Sequence, residues 1–335
     1  MRASGRFFAL AGSALVLVAL AAAASLAPRD AVATAKGGTL RLVAYSTPRD
    51  AYGKLIPAFQ ETTAGRGTSL EQSYGASGEQ ARAVVAGLKA DVVALSLEPD
   101  VTTLVKAGLV SRNWKNDRFH GIVTRSVVVF AVRNGNPKKI KTWNDLIKPG
   151  VEIVTPNVQT SGGAKWNVMA AYGAQRKAGR THAQAVAYLN KLYDNIVSQD
   201  KSAREALQTF LAGRGDVLLA YENEAIFAQK KDQPVYYLIP KSTILIENPV
   251  AVISNSSNKT TAQAFVRFLR TQKAQRIFAQ NGYRPVLKGL TREFKFPVRP
   301  LQFSIAWLGG WAKVDKRFFD PRDGIVTKIQ RRKGG

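Results

Sequence analysis

The sequence predicts an α/β protein of more than one domain, with mostly parallel sheets. Three observations support this. Strand-like and helix-like segments alternate along most of the chain. Short apolar runs such as 91–97 (DVVALSL), 127–133 (VVVFAVR) and 249–253 (PVAVI) have the composition of strands covered on both faces. The chain has 335 residues, 45% of them hydrophobic and 21% charged, enough to fill two cores of roughly 120–150 residues each.

The elements follow in order. Residues 39–44 alternate as a first strand, and 50–62 form a helix after the loop Tyr45-Ser46-Thr47-Pro48-Arg49. A strand at 70–74 leads through the small-residue turn Gly75-Ala76-Ser77-Gly78 into a helix at 79–90, with Ala81, Val84, Val85 and Leu88 on one side. After the strands 91–97 and 127–133 comes the turn Asn134-Gly135-Asn136-Pro137. A short helix at 143–147 and a strand at 151–155 follow. Thr160-Ser161-Gly162-Gly163 then opens a helix reaching residue 178. Helices at 183–193 and 203–212, strands at 216–221, 235–239 and 249–253, and an amphipathic helix at 261–278 complete the pattern. Residues 290–335, rich in aromatic and basic side chains, are expected to wrap the surface. The runs 127–133 and 249–253 are candidate crossings between lobes, which gives a contiguous second lobe at 128–249 and a discontinuous first lobe at 38–127 plus 250–335.

Residues 1–33 read as an export signal. Arg2 and Arg6 precede residues 7–28, which carry no charge and are dominated by Leu, Val and Ala, and Ala31-Val32-Ala33 offers a cleavage site. The uncharged stretch is also long enough for an uncleaved membrane anchor, which is the alternative. The chain has no cysteine, which excludes disulfides, thiolate metal sites, a Cys nucleophile and a lipoprotein anchor. The formal charge is +26, or +24 once the leader is removed. Such a field attracts nucleic acids, anionic surfaces and small anions alike. The positive residues are scattered, however, and no zinc finger, RRM signature or basic zipper accompanies them, so nucleic acid is not the expected partner.

Three loops share one design: Gly75-Ala76-Ser77-Gly78, Thr160-Ser161-Gly162-Gly163 and Ser202-Ala203-Arg204 each open a helix. The first amides of a helix have no partner within it, and the helix dipole places positive potential there. Gly lets an anion approach the backbone, and Ser adds a donor. Several such ends aimed at one point make an oxyanion site with no cation in direct contact, whereas any single one is an ordinary cap.

The segments 72–84 (QSYGASGEQARAV), 153–167 (IVTPNVQTSGGAKWN) and 215–225 (GDVLLAYENEA) resemble the sulfate- and thiosulfate-binding proteins of bacterial ABC importers. So do 134–138 (NGNPK), 143–150 (WNDLIKPG), Tyr283-Arg284-Pro285 and 309–313 (GGWAK), in order along nearly the full mature chain. The resemblance implies a two-lobed periplasmic-binding fold of type II, with a dehydrated anion held in the interlobe cleft by uncharged donors. It implies that Ser77, Ser161, Gly162, Gly163 and the Ala203 amide bind the anion. Tyr221 stands where the family usually has a Trp donor. Ser46 stands where the family usually has Asp, and Arg49 and Arg204 match family arginines that orient loops from behind. Further implications are an exported monomer, sulfate or thiosulfate as ligand, a membrane permease as partner and no cofactor. Molybdate or another tetrahedral anion is the alternative within this class.

An enzyme is the rival class. Glu79 breaks a G-x-S-x-G elbow at Ser77, and no H-E-x-x-H, P-loop or G-x-G-x-x-G motif occurs. His120 and His182 are the only histidines and are expected on the surface. Glu222 and Glu224 read as charges at a helix N-terminus. No catalytic residue, metal site or cofactor is expected.

Overall fold

A computed structural model describes residues 38–333. The expected leader at 1–33, with its cleavage site, lies outside the described residues. Among the described residues no helix is long and apolar enough to cross a membrane.

The chain builds β1 (Thr39–Tyr45), α1 (Arg49–Gln60), β2 (Ser69–Gly75), α2 (Ser77–Val85), β3 (Val92–Ala94) and α3 (Glu98–Lys106). β1 lies between β2 and β3 and pairs with both in parallel, from Thr39 opposite Ser69 to Ala44 opposite Ala94. β4 (Ile122–Arg133) follows, then a 3-10 turn at Trp143–Ile147, β5 (Ile153–Pro156), α4 (Gly162–Lys177), α5 (His182–Asp194), β6 (Ile196–Asp200), α6 (Ala203–Leu211), β7 (Val217–Tyr221), α7 (Glu222–Lys230) and β8 (Val235–Leu238). Here β5 lies between β6 and β7, again in parallel. β9 (Leu245–Val252) returns, followed by α8 (Lys259–Phe268), α9 (Gln272–Gln280), β10 (Arg284–Pro285), α10 (Lys288–Glu293), α11 (Trp311–Phe319) and α12 (Ile325–Arg332).

The strand order is β2-β1-β3-β9-β4-β7-β5-β6, two parallel triplets joined by antiparallel strands. β4 and β9 are the connectors. Over Ile122–Val127 and Leu245–Pro249 they pair with each other. Beyond that, β9 pairs with β3, whereas β4 pairs with β7 and β8. The apolar runs 127–133 and 249–253 fall largely on these two strands. Burial on both faces explains their lack of alternation: Val127 through Val132 are all buried.

Four expected segments differ, each for a local reason. The helix expected to reach residue 90 ends at Val85, because Gly87 takes a positive φ of 110° that stops it. The helix expected over 261–278 is two. The Thr271 hydroxyl accepts from the Ala274 amide at 3.3 Å and starts α9 afresh, while the Arg270 guanidinium turns in to Asp117 and the Ile122 carbonyl. The strand β6 and the helix α3 have no counterpart among the expected elements. The C-terminal region does not merely wrap the surface. Trp311, Val314 and Phe318 recur at helical spacing and are buried in one cluster with Trp166, Met169 and Leu189, Trp311 meeting Trp166 edge to face at 4.7 Å. This differs from the expected grouping of all of 250–335 with the first lobe, because those side chains fill the hydrophobic cluster of the second sheet. The first sheet has its own cluster, built from β1, α1, α8 and α9 around Tyr52, Phe59, Phe265 and Phe278.

Candidate functional site

Four helix starts meet where the two halves touch. Ser77 is the first residue of α2. Ser161 is the N-cap of α4, and Gly162 and Gly163 are its first two residues. Ala203 begins α6 behind the N-cap Ser202, whose hydroxyl accepts from the Glu205 amide at 3.2 Å. Tyr221 ends β7 and is the N-cap of α7. Each sits just past the C-terminal end of a strand in a parallel triplet, where open α/β sheets place their ligands.

The geometry of Gly163 shows how closely these starts converge. A Cβ at Gly163 would lie 3.3 Å from Ser161 Oγ, 3.4 Å from Ala203 Cβ and 3.7 Å from Tyr221 Cε1. A Cβ at Gly162 would lie 2.4 Å from Leu97 Cδ2 and 2.7 Å from Ser96 Oγ, so α4 begins pressed against the segment after β3. Across the same seam the Gly78 amide donates to the Thr160 carbonyl at 2.9 Å. The amides of Ser77, Gly162, Gly163 and Ala203 occupy first turns, where no intrahelical acceptor exists, and none donates to a protein group among the described residues. The helix starts that carry them touch one another, α4 meeting α6 at Gly163 and α2 at the Gly78–Thr160 hydrogen bond.

The Ser77 hydroxyl is already spent. It donates to Asp100 Oδ2 at 2.5 Å and accepts from the Ser96 amide at 2.8 Å, so only its backbone is free. Ser96 continues the chain, its Oγ lying 2.6 Å from Tyr221 Oη. The Ser96 carbonyl accepts from Trp166 Nε1 and Asn248 Nδ2, both at 3.0 Å. Burial raises the Asp100 carboxyl above its ordinary range, against the lowering effects of Lys165 and of the Ser77 hydrogen bond. Burial also raises Tyr221 well above the usual phenol value, so it remains a neutral hydroxyl.

Three nearby cations are paired with carboxylates, whereas Arg82, beside Gly78, donates to the Gln159 carbonyl at 3.3 Å. Arg204 makes a bidentate pair with buried Glu224 at 2.9 and 3.0 Å and also reaches Asp50 Oδ2 and the Thr47 carbonyl at 3.1 Å. Lys165 pairs with Asp315 at 2.7 Å and Lys201 with Glu79 at 3.0 Å. Glu222, wholly buried, is paired with Arg284 of β10 at 2.6 and 3.0 Å. Glu222 and Glu224 thus lie in the first turn of α7 as expected, but each has an arginine partner.

Among the expected supporting residues, Arg204 ties α6 to the loop before α1. Arg49 is exposed, its guanidinium 5.7 Å from the Tyr74 ring centre, and it makes no side-chain hydrogen bond or ion pair among the described residues. Ser46 is half-buried beside Tyr45, whose hydroxyl is buried without a hydrogen bond among the described residues. His120 and His182 are exposed. Ser96, Asp100, Trp166 and Asn248 were missed by the sequence reading. The available signal was a polar Ser or Asn inside an otherwise apolar strand, since a buried polar group needs a partner.

Known proteins resemble this chain over most of its length. The chain is 44% identical over 306 residues to the sulfate-binding protein of Synechococcus elongatus, covering 88% of this chain and 87% of that one. It is 32% identical over 291 residues to the thiosulfate-binding protein of Pseudomonas aeruginosa, covering 83% and 88%. The solved structure of the sulfate-binding protein SubI from Mycobacterium tuberculosis superposes with a TM-score of 0.82 at 43% identity, covering 84% of this chain and all of that one. The family of bacterial extracellular solute-binding proteins matches residues 40–284, and the chain belongs to that family.

Proposed function

We propose that this protein is the exported binding component of an ABC importer and that it captures sulfate, with thiosulfate as the nearest competitor. The observation that carries the reading is the convergence of three helix starts with unspent amides, together with Tyr221 at a fourth, at a seam where Arg204 and Lys165 are already paired. Such a site compensates a dianion with dipoles and hydrogen bonds alone. The names of the relatives favour sulfate over other anions. The proposed donors are the amides of Ser77, Gly162, Gly163 and Ala203, the Ser161 hydroxyl and the Tyr221 hydroxyl.

The mechanism is capture by closure. Residues 77 and 96 come from the half carrying β1–β3, whereas 161–163, 203 and 221 come from the half carrying β5–β7. An anion bonded to both stabilises the closed arrangement over an open one by its differential affinity, and so shifts the population. The closed form then docks on the permease as a monomer. Residues 1–33 act as the export signal. The chemistry asked of the chain is binding, with no turnover and no cofactor.

Selectivity follows from the donors. Sulfate carries no proton at neutral pH, whereas phosphate does, and that proton needs an acceptor. Leaving it unpaired in a buried site costs about 1–3 kcal/mol. Calorimetric titration with sulfate, thiosulfate, phosphate and molybdate tests the reading. Sulfate is expected to bind tightest and phosphate much more weakly. Ser161→Ala is expected to weaken sulfate about tenfold, the worth of one hydrogen bond to a charged group. Failure to bind sulfate or thiosulfate, or sulfate binding untouched by Ser161→Ala, refutes it.

A further inference from the structure

We propose that Ser96 belongs to the anion site, and that its hydroxyl and that of Tyr221 act together as a single donor to the ligand. This rests on the anion-binding reading above and adds a residue to it. Ser96 is buried, its Oγ lies 2.6 Å from Tyr221 Oη, and it fills the space into which a Cβ at Gly162 would project.

A count of protons gives the pair its character. Two hydroxyls carry two protons. One lies between Ser96 Oγ and Tyr221 Oη, and one is left over. Asn248 also reaches Tyr221, but as a donor, and its Oδ1 already accepts from the Thr124 hydroxyl at 3.2 Å, so no acceptor for the spare proton is found among the described residues. The Ser77 hydroxyl is committed to Asp100 and already accepts from the Ser96 amide. The Ser96 carbonyl already receives both Trp166 and Asn248. The spare proton therefore needs an acceptor supplied by the ligand. A fully deprotonated oxyanion supplies one. An oxyanion that turns its own proton towards the pair brings a third proton to two oxygens and leaves one O–H unpaired. Two amphoteric hydroxyls, each able to accept when alone, thus act as one net donor. Asp100 and Ser77 fix Ser96 through its backbone amide, and the two hydroxyls polarise each other.

The experiment is a double-mutant cycle read by calorimetry with sodium sulfate and with inorganic phosphate, using the wild type, Ser96→Ala, Tyr221→Phe and the double variant. Each single change is expected to weaken sulfate about tenfold, and the double variant also about tenfold, because either change breaks the same donor. The ratio of sulfate to phosphate affinity is expected to fall about tenfold in Tyr221→Phe and in the double variant, since the unpaired-proton penalty on phosphate disappears with the donor. Independent losses, giving about a hundredfold in the double variant, overturn the proposal. So does wild-type sulfate affinity in Ser96→Ala, or an equal loss for both anions. Thermal unfolding of each protein separates a folding defect from a binding one. If Ser96→Ala does not fold, the sulfate-to-phosphate ratio in Tyr221→Phe decides alone, an unchanged ratio overturning the idea. Ser161→Ala keeps the two levels apart. Sulfate binding untouched there removes the anion site itself, whereas a loss there with additive effects at 96 and 221 removes only the paired donor.

Discussion

Gly162→Ala tests how far the site depends on the two halves meeting. The new Cβ would lie 2.4 Å from Leu97 Cδ2 and 2.8 Å from Ser96 Cβ. Carbon atoms in contact settle at roughly 3.5–4.0 Å, so a gap of about 1.1–1.6 Å must be opened at Leu97. Leu97 is fully buried and cannot swing aside, and Ser96 Cβ is fixed to its backbone. The gap therefore opens between α4 and the segment after β3, which is the seam of closure. Overpacking of this kind costs about 1–3 kcal/mol, which corresponds to about 5- to 150-fold in affinity if the cost falls on the closed form alone. Calorimetry with sulfate reads the affinity, and small-angle X-ray scattering at saturating sulfate reads the closed dimensions. Wild-type affinity with wild-type dimensions would refute the argument. Gly163→Ala provides the contrast. Its Cβ would meet protein atoms no closer than 3.3 Å, so the halves still approach. An affinity loss there comes from the methyl group occupying the space of the anion.

Other expected outcomes follow from the buried charges and caps. Burial raises Asp100 above the usual carboxylate range, so the folded state holds its proton more tightly than the unfolded chain. Its contribution is present at low pH and is lost as pH rises through the folded value. Asp100→Asn, which keeps an acceptor for Ser77, is expected to gain stability relative to wild type at pH 8 but not at pH 4, read by urea unfolding. A variant equally stable or weaker at both pH values counts against it. Glu222→Ala leaves the buried guanidinium of Arg284 unpaired and is expected to cost about 3–5 kcal/mol in the same assay. A loss below about 1 kcal/mol, the worth of an exposed pair, contradicts the burial of this pair. Thr271→Ala removes the cap that starts α9 and is expected to cost about 1 kcal/mol without altering sulfate affinity.

The strand–helix alternation and the two connector strands were legible because burial on both faces leaves continuous apolar runs such as Val127–Val132. The three Gly- and Ser-bearing helix starts were legible because their composition reports backbone exposure directly. What stayed hidden depends on distance across the fold. The engagement of the Ser77 hydroxyl by Asp100 joins residues 23 apart, and the Ser96–Tyr221 contact joins residues 125 apart. No local pattern encodes such pairings. The division of the amphipathic run at Thr271 and the stop at Gly87 were present in the sequence as a cap and a glycine, but apolar spacing outweighed them in the reading. The C-terminal aromatics were misplaced because basic neighbours mask helical periodicity: Lys313, Lys316 and Arg317 lie between Trp311, Val314 and Phe318.

The way β4 and β9 are laced together constrains how the molecule can open. Two separate tethers would let the halves slide, twist and drift apart. A hydrogen-bonded ribbon resists shear along its ladder yet flexes across its face, and its ladder is interrupted once, by the register shift between Ile122 and Thr124. The proposed closure would then follow an arc. Along such an arc the seam amides would return to the same positions at every closure, which makes recognition a property of the backbone ribbon as much as of the cleft.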